Sequence, residues 1–297
     1  MGPERMPAAE VDVSADLVRR LLAAQHVDLA GLPVEVIANG WDNVMYRVGG
    51  VLAARLPRRA LAARLLVHEQ RWLPVLAARL PLPVPAPLRV GQPGLGYPWP
   101  WSIVPFLPGQ VASRNPPADL RGAAVSLGRF LAALHAPAAP DAPLNLVRGV
   151  PLAHRSAAVT QNLSVLGALV DRRAVMRRWE AALAAPLWDG PPVWLHGDLH
   201  PANILVHRGR ISGVIDFGDI TSGDPAADLA VAWMLLPADC HDAFRGAYRA
   251  AGQQAASDDS WARARGWALA LSLAILAHSA DNPVLQEIGQ RTISAVL

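Results

Sequence analysis

Strand-like runs before residue 107 and helix-like runs after it predict an α+β chain, a small β-rich lobe followed by a larger α-helical lobe. Two observations carry this. Val34–Ile37, Val44–Val48 and Val51–Leu56 are short β-prone runs, punctuated by the turn pairs Asn39-Gly40 and Gly49-Gly50. After Leu107-Pro108-Gly109 the apolar residues recur at helical spacing. The 297 residues suffice for one large domain or two lobes with a substantial core. The expected division is 1–107 and 108–297.

Each element has its own signal. Leu61, Leu65, Trp72 and Leu76 place a helix after the third strand, with Pro74 expected to kink or restart it. Leu80–Pro87 is too rich in proline for a central strand and reads as an extended connection. Gly91–Gly96 reads as a turn. Trp101–Phe106 is a last strand, placed at a sheet edge because Pro105 cannot donate to a ladder. Leu120, Ala124, Leu127, Leu131 and Leu134 form a helix face, capped by Asp119 and stopped by Pro137. Further helices are expected over Ala174–Ala185, Pro225–Leu236 and Trp261–Ala280. Val193–Leu195 is a short strand, and Asn203–Val206 with Ile211–Asp216 reads as a hairpin across Arg208-Gly209. Trp72 and Trp267 read as core residues.

Composition narrows the class. Hydrophobic residues make up 52% of the chain and charged residues 17%, which excludes a disordered polyelectrolyte. The net charge is +3, and every basic residue is arginine, so nothing points to nucleic acid. Cys240 is the single cysteine, so no internal disulfide is possible, in keeping with a reducing compartment. Glu4, Glu10, Asp12 and Asp16 precede any apolar run, unlike a secretory signal. The apolar run Trp267–Ala277 is shorter than the ~20 residues that a membrane span needs. These features predict a soluble cytoplasmic protein, with its oligomeric state left open.

The chemistry lies in His196-Gly197-Asp198-Leu199-His200-Pro201-Ala202-Asn203 and, after the hairpin, Asp216-Phe217-Gly218. With Arg208 and Gly209 as the turn pair, Asn203 faces Val214, and Asp216 lies two residues beyond, roughly 7 Å along the strand. Asp198, Asn203 and Asp216 then meet at the open end of one hairpin. Two carboxylates and an amide oxygen are hard ligands, suited to Mg²⁺ when substrate phosphates complete the shell. Phosphoryl transfer needs this set: one aspartate orients or deprotonates the attacking hydroxyl, and one carboxylate and one amide hold the metal against the phosphates.

His-Gly-Asp-x-x-x-x-Asn followed by Asp-Phe-Gly resembles the aminoglycoside phosphotransferase family of small-molecule kinases. Pro192–Leu195, Ile204–Val206, Gly223-Asp224-Pro225 and Asp228-Leu229-Ala230 extend the likeness, as do Gly40–Asn43, Arg55-Leu56-Pro57, Glu69 and Trp99–Gly109 upstream. The resemblance implies a protein-kinase-like two-lobe fold with nucleotide in the cleft. It implies Asp198 as the catalytic aspartate, His196 as support for the catalytic loop, and Asn203 and Asp216 as Mg²⁺ ligands. It puts Val104–Leu107, including Val104 and Phe106, at the hinge that meets the base, and Gly40–Asn43, including Gly40 and Asn43, over the phosphates of ATP or GTP. Arg55 stands where the family usually has lysine, with Glu69 as its partner. Residue chemistry supports that pair independently, since a carboxylate on an apolar helix face needs a partner. Arg58 or Arg59 is the alternative at the phosphates.

The activity implied is transfer of the γ-phosphate to a hydroxyl of a small molecule, an aminoglycoside or related antibiotic; a macrolide or another metabolite is the alternative acceptor. Residues 189–297 hold 12 acids and seven arginines, a balance suited to a polycationic acceptor, although several acids serve metal or cap positions. Asp224 and Asp228 read as helix-start residues, and Asp219 as either a metal neighbour or a loop cap. Two other readings stay open. His196, Asp198 and His200 alternate, as in a metallohydrolase site. Arg55 also permits a non-catalytic nucleotide-binding module. No acceptor-pocket residue is named by the sequence.

Overall fold

The computed structural model describes residues 8–250 and 257–297. Glu4, cited above, lies outside the described residues. The fold is α+β, a sheet-built N-lobe joined to a helical C-lobe. Helix α1 (Ala15–Gln25) opens it, capped by Ser14, whose hydroxyl accepts from Leu17 N. It buries Leu17, Val18, Leu21 and Leu22. The sequence reading treated this region as strand-rich and missed the helix, although a serine cap and Asp16 in the first turn announce it.

Strands β1 (Val34–Asn39), β2 (Asn43–Val48), β3 (Leu52–Pro57), β4 (Arg89–Gly91) and β5 (Trp101–Pro105) form an antiparallel sheet in the order β1-β2-β3-β5-β4. Strand β5 is therefore not an edge. Arg89–Gly91 adds outside it, and Pro105 is tolerated as its last residue. Val51, expected within a strand, is an exposed turn residue.

Helix α2 (Ala60–Ala77) crosses from the sheet to the C-lobe. It runs unbroken through Pro74, whose solvent-facing position leaves the unpaired carbonyl to water. Its buried residues are Ala62, Ala63, Leu66, Glu69, Leu73 and Leu76; Glu69 and Leu76 lie on the expected face, whereas Leu65 and Trp72 are only half-buried, their places taken by Leu66 and Leu73, and Leu61 is exposed. Two apolar clusters result. One joins α1 to the sheet, with Trp101 and Ile103 at its centre. The larger one fills the C-lobe and takes in Leu73 and Leu76 of α2.

The C-lobe begins with β6 (Gln110–Val111) and α3 (Leu120–Leu134), capped by Asp119 as expected. Helices α4 (Ser156–Leu166) and α5 (Arg172–Leu183) follow; α4 was not foreseen. Strand β7 (Val193–Leu195) pairs with β10 (Thr221–Gly223). Between them, β8 (Ile204–His207) and β9 (Arg210–Val214) form the hairpin. The expected single helix over Pro225–Leu236 is two short ones, α6 (Ala226–Leu229) and α7 (Val231–Leu235). Helices α8 (His241–Ala250), α9 (Asp258–His278) and α10 (Pro283–Val296) close the lobe. Trp267 of α9 is fully buried, whereas Trp72 is half-buried and packs at a tilt against Trp194. Among the described residues, no helix is long and apolar enough to cross a membrane.

Candidate active site

The hairpin register explains how the motif converges. At the turn, His207 faces Arg210 and Val206 faces Ile211, as the turn geometry requires. A bulge between Leu205 and Val206 then shifts the register by one, so Ile204, not Asn203, faces Val214. Asn203 closes the hairpin instead, its carbonyl accepting from Ile215 N at 2.9 Å. Its side-chain Nδ2 donates to the Asp198 carbonyl at 2.9 Å, which leaves the amide oxygen for another partner.

His196 is fully buried and its ring is fully employed. Nδ1 accepts from Asp198 N at 3.2 Å, and Nε2 faces the Ile215 carbonyl at 2.9 Å. Those partners fix the neutral tautomer with its proton on Nε2. The ring thus ties the Asp198 loop to the strand leading into Asp216. It is not a metal ligand, so the alternating His196-Asp198-His200 set does not form one. Among the described residues, no three His, Cys, Asp or Glu gather as a metal group.

Asp228 anchors the same loop. Its carboxylate is fully buried and accepts from His196 N at 2.7 Å and Gly197 N at 2.9 Å. His135 lies between Asp228 (3.3 Å) and Tyr248 Oη (2.7 Å), so α3 and α8 support the loop through one buried chain. Burial disfavours the charge on Asp228, but His135 and the donated hydrogen bonds outweigh it and hold the carboxyl below its ordinary range. The sequence reading saw only a helix-start residue here. Gly197 has a positive φ of 85°, and a Cβ there would lie 2.3 Å from the Asp219 carbonyl. Only glycine fits that turn.

Asp224 also exceeds its expected cap role. It accepts from Ala226 N at 3.0 Å and forms a buried pair with Arg263 of α9 at 2.7 Å. Asp219 accepts from Asn145 Nδ2 at 2.8 Å, a loop contact beside the site.

Asp216 adopts left-handed backbone angles, φ 64° and ψ 66°. Aspartate tolerates this better than most residues, and such conformations gather at functional sites. Its Oδ1 accepts from Arg55 Nη2 at 2.9 Å. Arg55 Nη1 donates to both oxygens of Glu69, at 2.8 and 2.7 Å. With its amide oxygen turned inward, Asn43 accepts from Arg55 Nη2 at 3.2 Å and Nε at 3.3 Å. Burial opposes the guanidinium charge, but Glu69 and then Asp216 outweigh it and raise the Arg55 pKa. Arg58 and Arg59 serve the loop instead. Arg58 donates to the Gly40 carbonyl at 2.7 Å, and Arg59 pairs with Asp42.

These residues line one cleft of ≈830 Å³ between the lobes. Gly40, Asn43, Arg55, Val104, Phe106, Asp198, Asn203 and Asp216 all line it. Glu69 and His196 stand behind the lining, touching it through Arg55 and Asp198. Phe106 does not offer its N–H to the cleft: the group donates to the Val51 carbonyl at 2.8 Å, and Arg47 lies over the ring. The sequence missed Arg148. Its Nη2 meets Asp198 Oδ1 at 2.7 Å, and Gly149 beside it, at φ 66°, accepts from Asp224 N at 2.9 Å. His200 Nε2 approaches the other Asp198 oxygen at 3.4 Å. Burial works against ionisation of Asp198, yet Arg148 and then His200 overcome it and hold the carboxyl well below the usual carboxylate range. No local motif marks Arg148; it sits on an irregular loop.

The profile of the phosphotransferase enzyme family matches residues 33–267. The chain belongs to this family. An aminoglycoside 3'-phosphotransferase of Streptomyces fradiae is 32% identical over 176 residues; the match takes in 56% of this chain and 63% of the relative, so it spans less than two thirds of that protein. Among solved structures, the GDP complex of an aminoglycoside 2'-phosphotransferase-IIIa superposes with a TM-score of 0.69 at 19% identity, covering 96% of this chain and 99% of that one. A macrolide 2'-phosphotransferase from Brachybacterium faecium gives 0.63 at 27% identity, over 93% and 97%.

Proposed function

We propose that this protein transfers the γ-phosphate of ATP or GTP to a hydroxyl of a small antibiotic-like molecule. Residues 1–107 form the nucleotide-binding lobe in this reading, and 108–297 carry the catalytic and acceptor side. The observation that carries it is the meeting of Asp198, Asn203 and Asp216 in one cleft with the Arg55–Glu69 pair. Relatives solved with GDP and with ADP support a nucleotide co-substrate. Relatives named for aminoglycosides and for macrolides support an antibiotic hydroxyl as acceptor.

Mg²⁺ fits the donor set. Asn203 offers an amide oxygen and Asp216 the carboxylate oxygen not bound to Arg55, both hard ligands. Two protein ligands leave the rest of an octahedron to phosphates and water, as this ion prefers. When bound, Mg²⁺ would neutralise phosphate charge and draw electron density from the transferred group.

The chain's own residues do the remainder. Glu69 and Asn43 hold Arg55 rigid beside the Asp216 carboxylate, so a positive charge faces the phosphates without reorganising. Gly40–Asn43, braced by Arg58 and Arg59, covers them. Asp198 receives the acceptor hydroxyl and orients it for in-line attack. Because Arg148 keeps Asp198 ionised, the aspartate always presents an acceptor oxygen to that hydroxyl. The test is acceptor-dependent release of nucleoside diphosphate with Mg²⁺. It is expected in the wild type and lost in Asp198→Ala; release that persists in the variant would overturn the assignment.

A further inference from the structure

The far wall of the cleft is the part of the site that the phosphotransfer reading leaves unexplained. Helix α9 supplies Leu271, Ala274, Ile275 and His278 to it. Their spacings of three, one and three put them on one helical face. All four are half-buried; Ile275 also packs against Gly289 of α10 and His278 Nε2 meets Asn162 Oδ1 of α4 at 2.9 Å, so Leu271 and Ala274 are the main free part of the face. Helix α9 packs against α4, α5, α6 and α10, so it buries apolar residues on several sides, and its C-terminal half also borders the cleft. Leu285 of α10, half-buried, extends the apolar surface, with the fully buried Met234 of α7 behind it.

The charges of the cleft point the same way. Among the described residues, its wall holds four carboxylates, Asp42, Asp198, Asp216 and Asp219. Each already has a partner: Arg59, Arg148, Arg55 and Asn145 respectively. The wall includes no glutamate, and its cations are Arg55 and Arg148. The acids of residues 189–297 at and behind the cleft are held in internal pairs, Asp224 with Arg263 and Asp228 with His135 among them, and no other acid among the described residues lines the cleft. A polycation entering here would lose hydration at several ammonium groups and find no unpaired carboxylate, with Arg148 repelling it at the catalytic aspartate.

We propose that the acceptor is a hydroxylated molecule with a largely apolar body and at most one positive charge, laid on the Leu271–Ala274–Ile275 face with its hydroxyl at Asp198. The inference rests on the phosphotransfer reading and selects, within it, a macrolide-like class over polycationic aminosugars. The hydrophobic body gains by covering the α9 face, and a single amine can stay at the solvent edge.

The experiment compares two acceptor panels at saturating Mg²⁺-nucleotide. One holds erythromycin, clindamycin and chloramphenicol, which are hydroxylated and carry one charge or none. The other holds kanamycin, gentamicin and streptomycin. At least one member of the first panel is expected to be phosphorylated with kcat/KM about 100-fold above every member of the second. Ile275→Glu is expected to lower that value at least about tenfold and to raise kanamycin turnover, while calorimetric nucleotide affinity stays unchanged. Leu271→Ala, which adds no charge, is expected to weaken the preferred acceptor about tenfold should Ile275→Glu fail to fold. Equal or better turnover of the polycations overturns the inference and leaves phosphotransfer standing. So does transfer to no member of the first panel by protein that binds nucleotide. Absence of Mg²⁺-dependent nucleotide binding overturns the phosphotransfer reading itself.

Discussion

The cleft contains two arginines, and they are held in opposite ways. Arg55 projects from the central strand β3, is 7% exposed, and uses its whole fork on Glu69, Asp216 and Asn43. Arg148 projects from a loop, is 20% exposed at its side chain, and reaches the site through one ion pair with Asp198. In the proposed reading the first belongs to the scaffold of the nucleotide side, and the second tunes the group at the acceptor side. Removing Arg55 should therefore cost stability, whereas removing Arg148 should change chemistry.

The largest effects should come from the carboxylates that these arginines touch. Asp198→Ala is expected to lower kcat by about 10³-fold or more with nucleotide affinity retained, measured by steady-state transfer and calorimetry. Asp216→Ala is expected to lose Mg²⁺-dependent nucleotide affinity as well, by at least about tenfold. Equal phenotypes in the two variants would erase the division between the two sides.

Next comes the contrast between the arginines. Arg55→Ala leaves Glu69 in the core without its partner and should cost about 3–5 kcal/mol in denaturant unfolding. Arg55→Lys keeps the charge but not the planar fork, and should cost less than Arg55→Ala. Arg148→Ala should be nearly neutral in unfolding, because its pair is partly exposed to water. It should act on the pH profile instead. With Arg148 gone, burial is the dominant influence left on Asp198 and its pKa rises. The acid limb of kcat/KM is then expected to move to higher pH; an unmoved limb would remove Arg148 from the acceptor side.

The smallest effect concerns the anchor that both sides share. Asp228 has a folded pKa below its unfolded value of about 3.9. Its stabilisation is complete above that value and is lost as pH falls through the lower, folded one. Asp228→Asn is expected to cost about 1–3 kcal/mol at neutral pH and to flatten the acid limb of the stability curve. A variant with unchanged acid unfolding would show that the loop is held by other contacts.

What was legible in the sequence follows from the range of each interaction. Asp198, Asn203 and Asp216 stand at fixed spacing around one hairpin, so chain geometry alone brought them together. The bulge at Leu205/Val206 was not legible, because a one-residue slip leaves no mark in an all-apolar strand. The Arg55–Glu69 pair was legible because an acid on an apolar helix face demands a base. The N-terminal part of that face was placed one residue off, at Leu61 and Leu65, since alanines at 62 and 63 carry little hydrophobic signal. Asp228 reads locally as a helix-start acid; its partners His135 and His196 lie 93 and 32 residues away in the chain, beyond any local pattern. Arg148 and the α9 wall were hidden for the same reason: a loop arginine and an apolar helix acquire meaning only from what they face.

The measurement that bears most directly on the central claim is nucleoside-diphosphate release with Mg²⁺ and ATP or GTP, with and without a weakly charged hydroxylated acceptor, in the wild type and in Asp198→Ala. The expected result is acceptor-dependent release that disappears in the variant while nucleotide affinity persists. Release that ignores the acceptor, or that survives loss of Asp198, would contradict the assignment of this cleft to phosphoryl transfer.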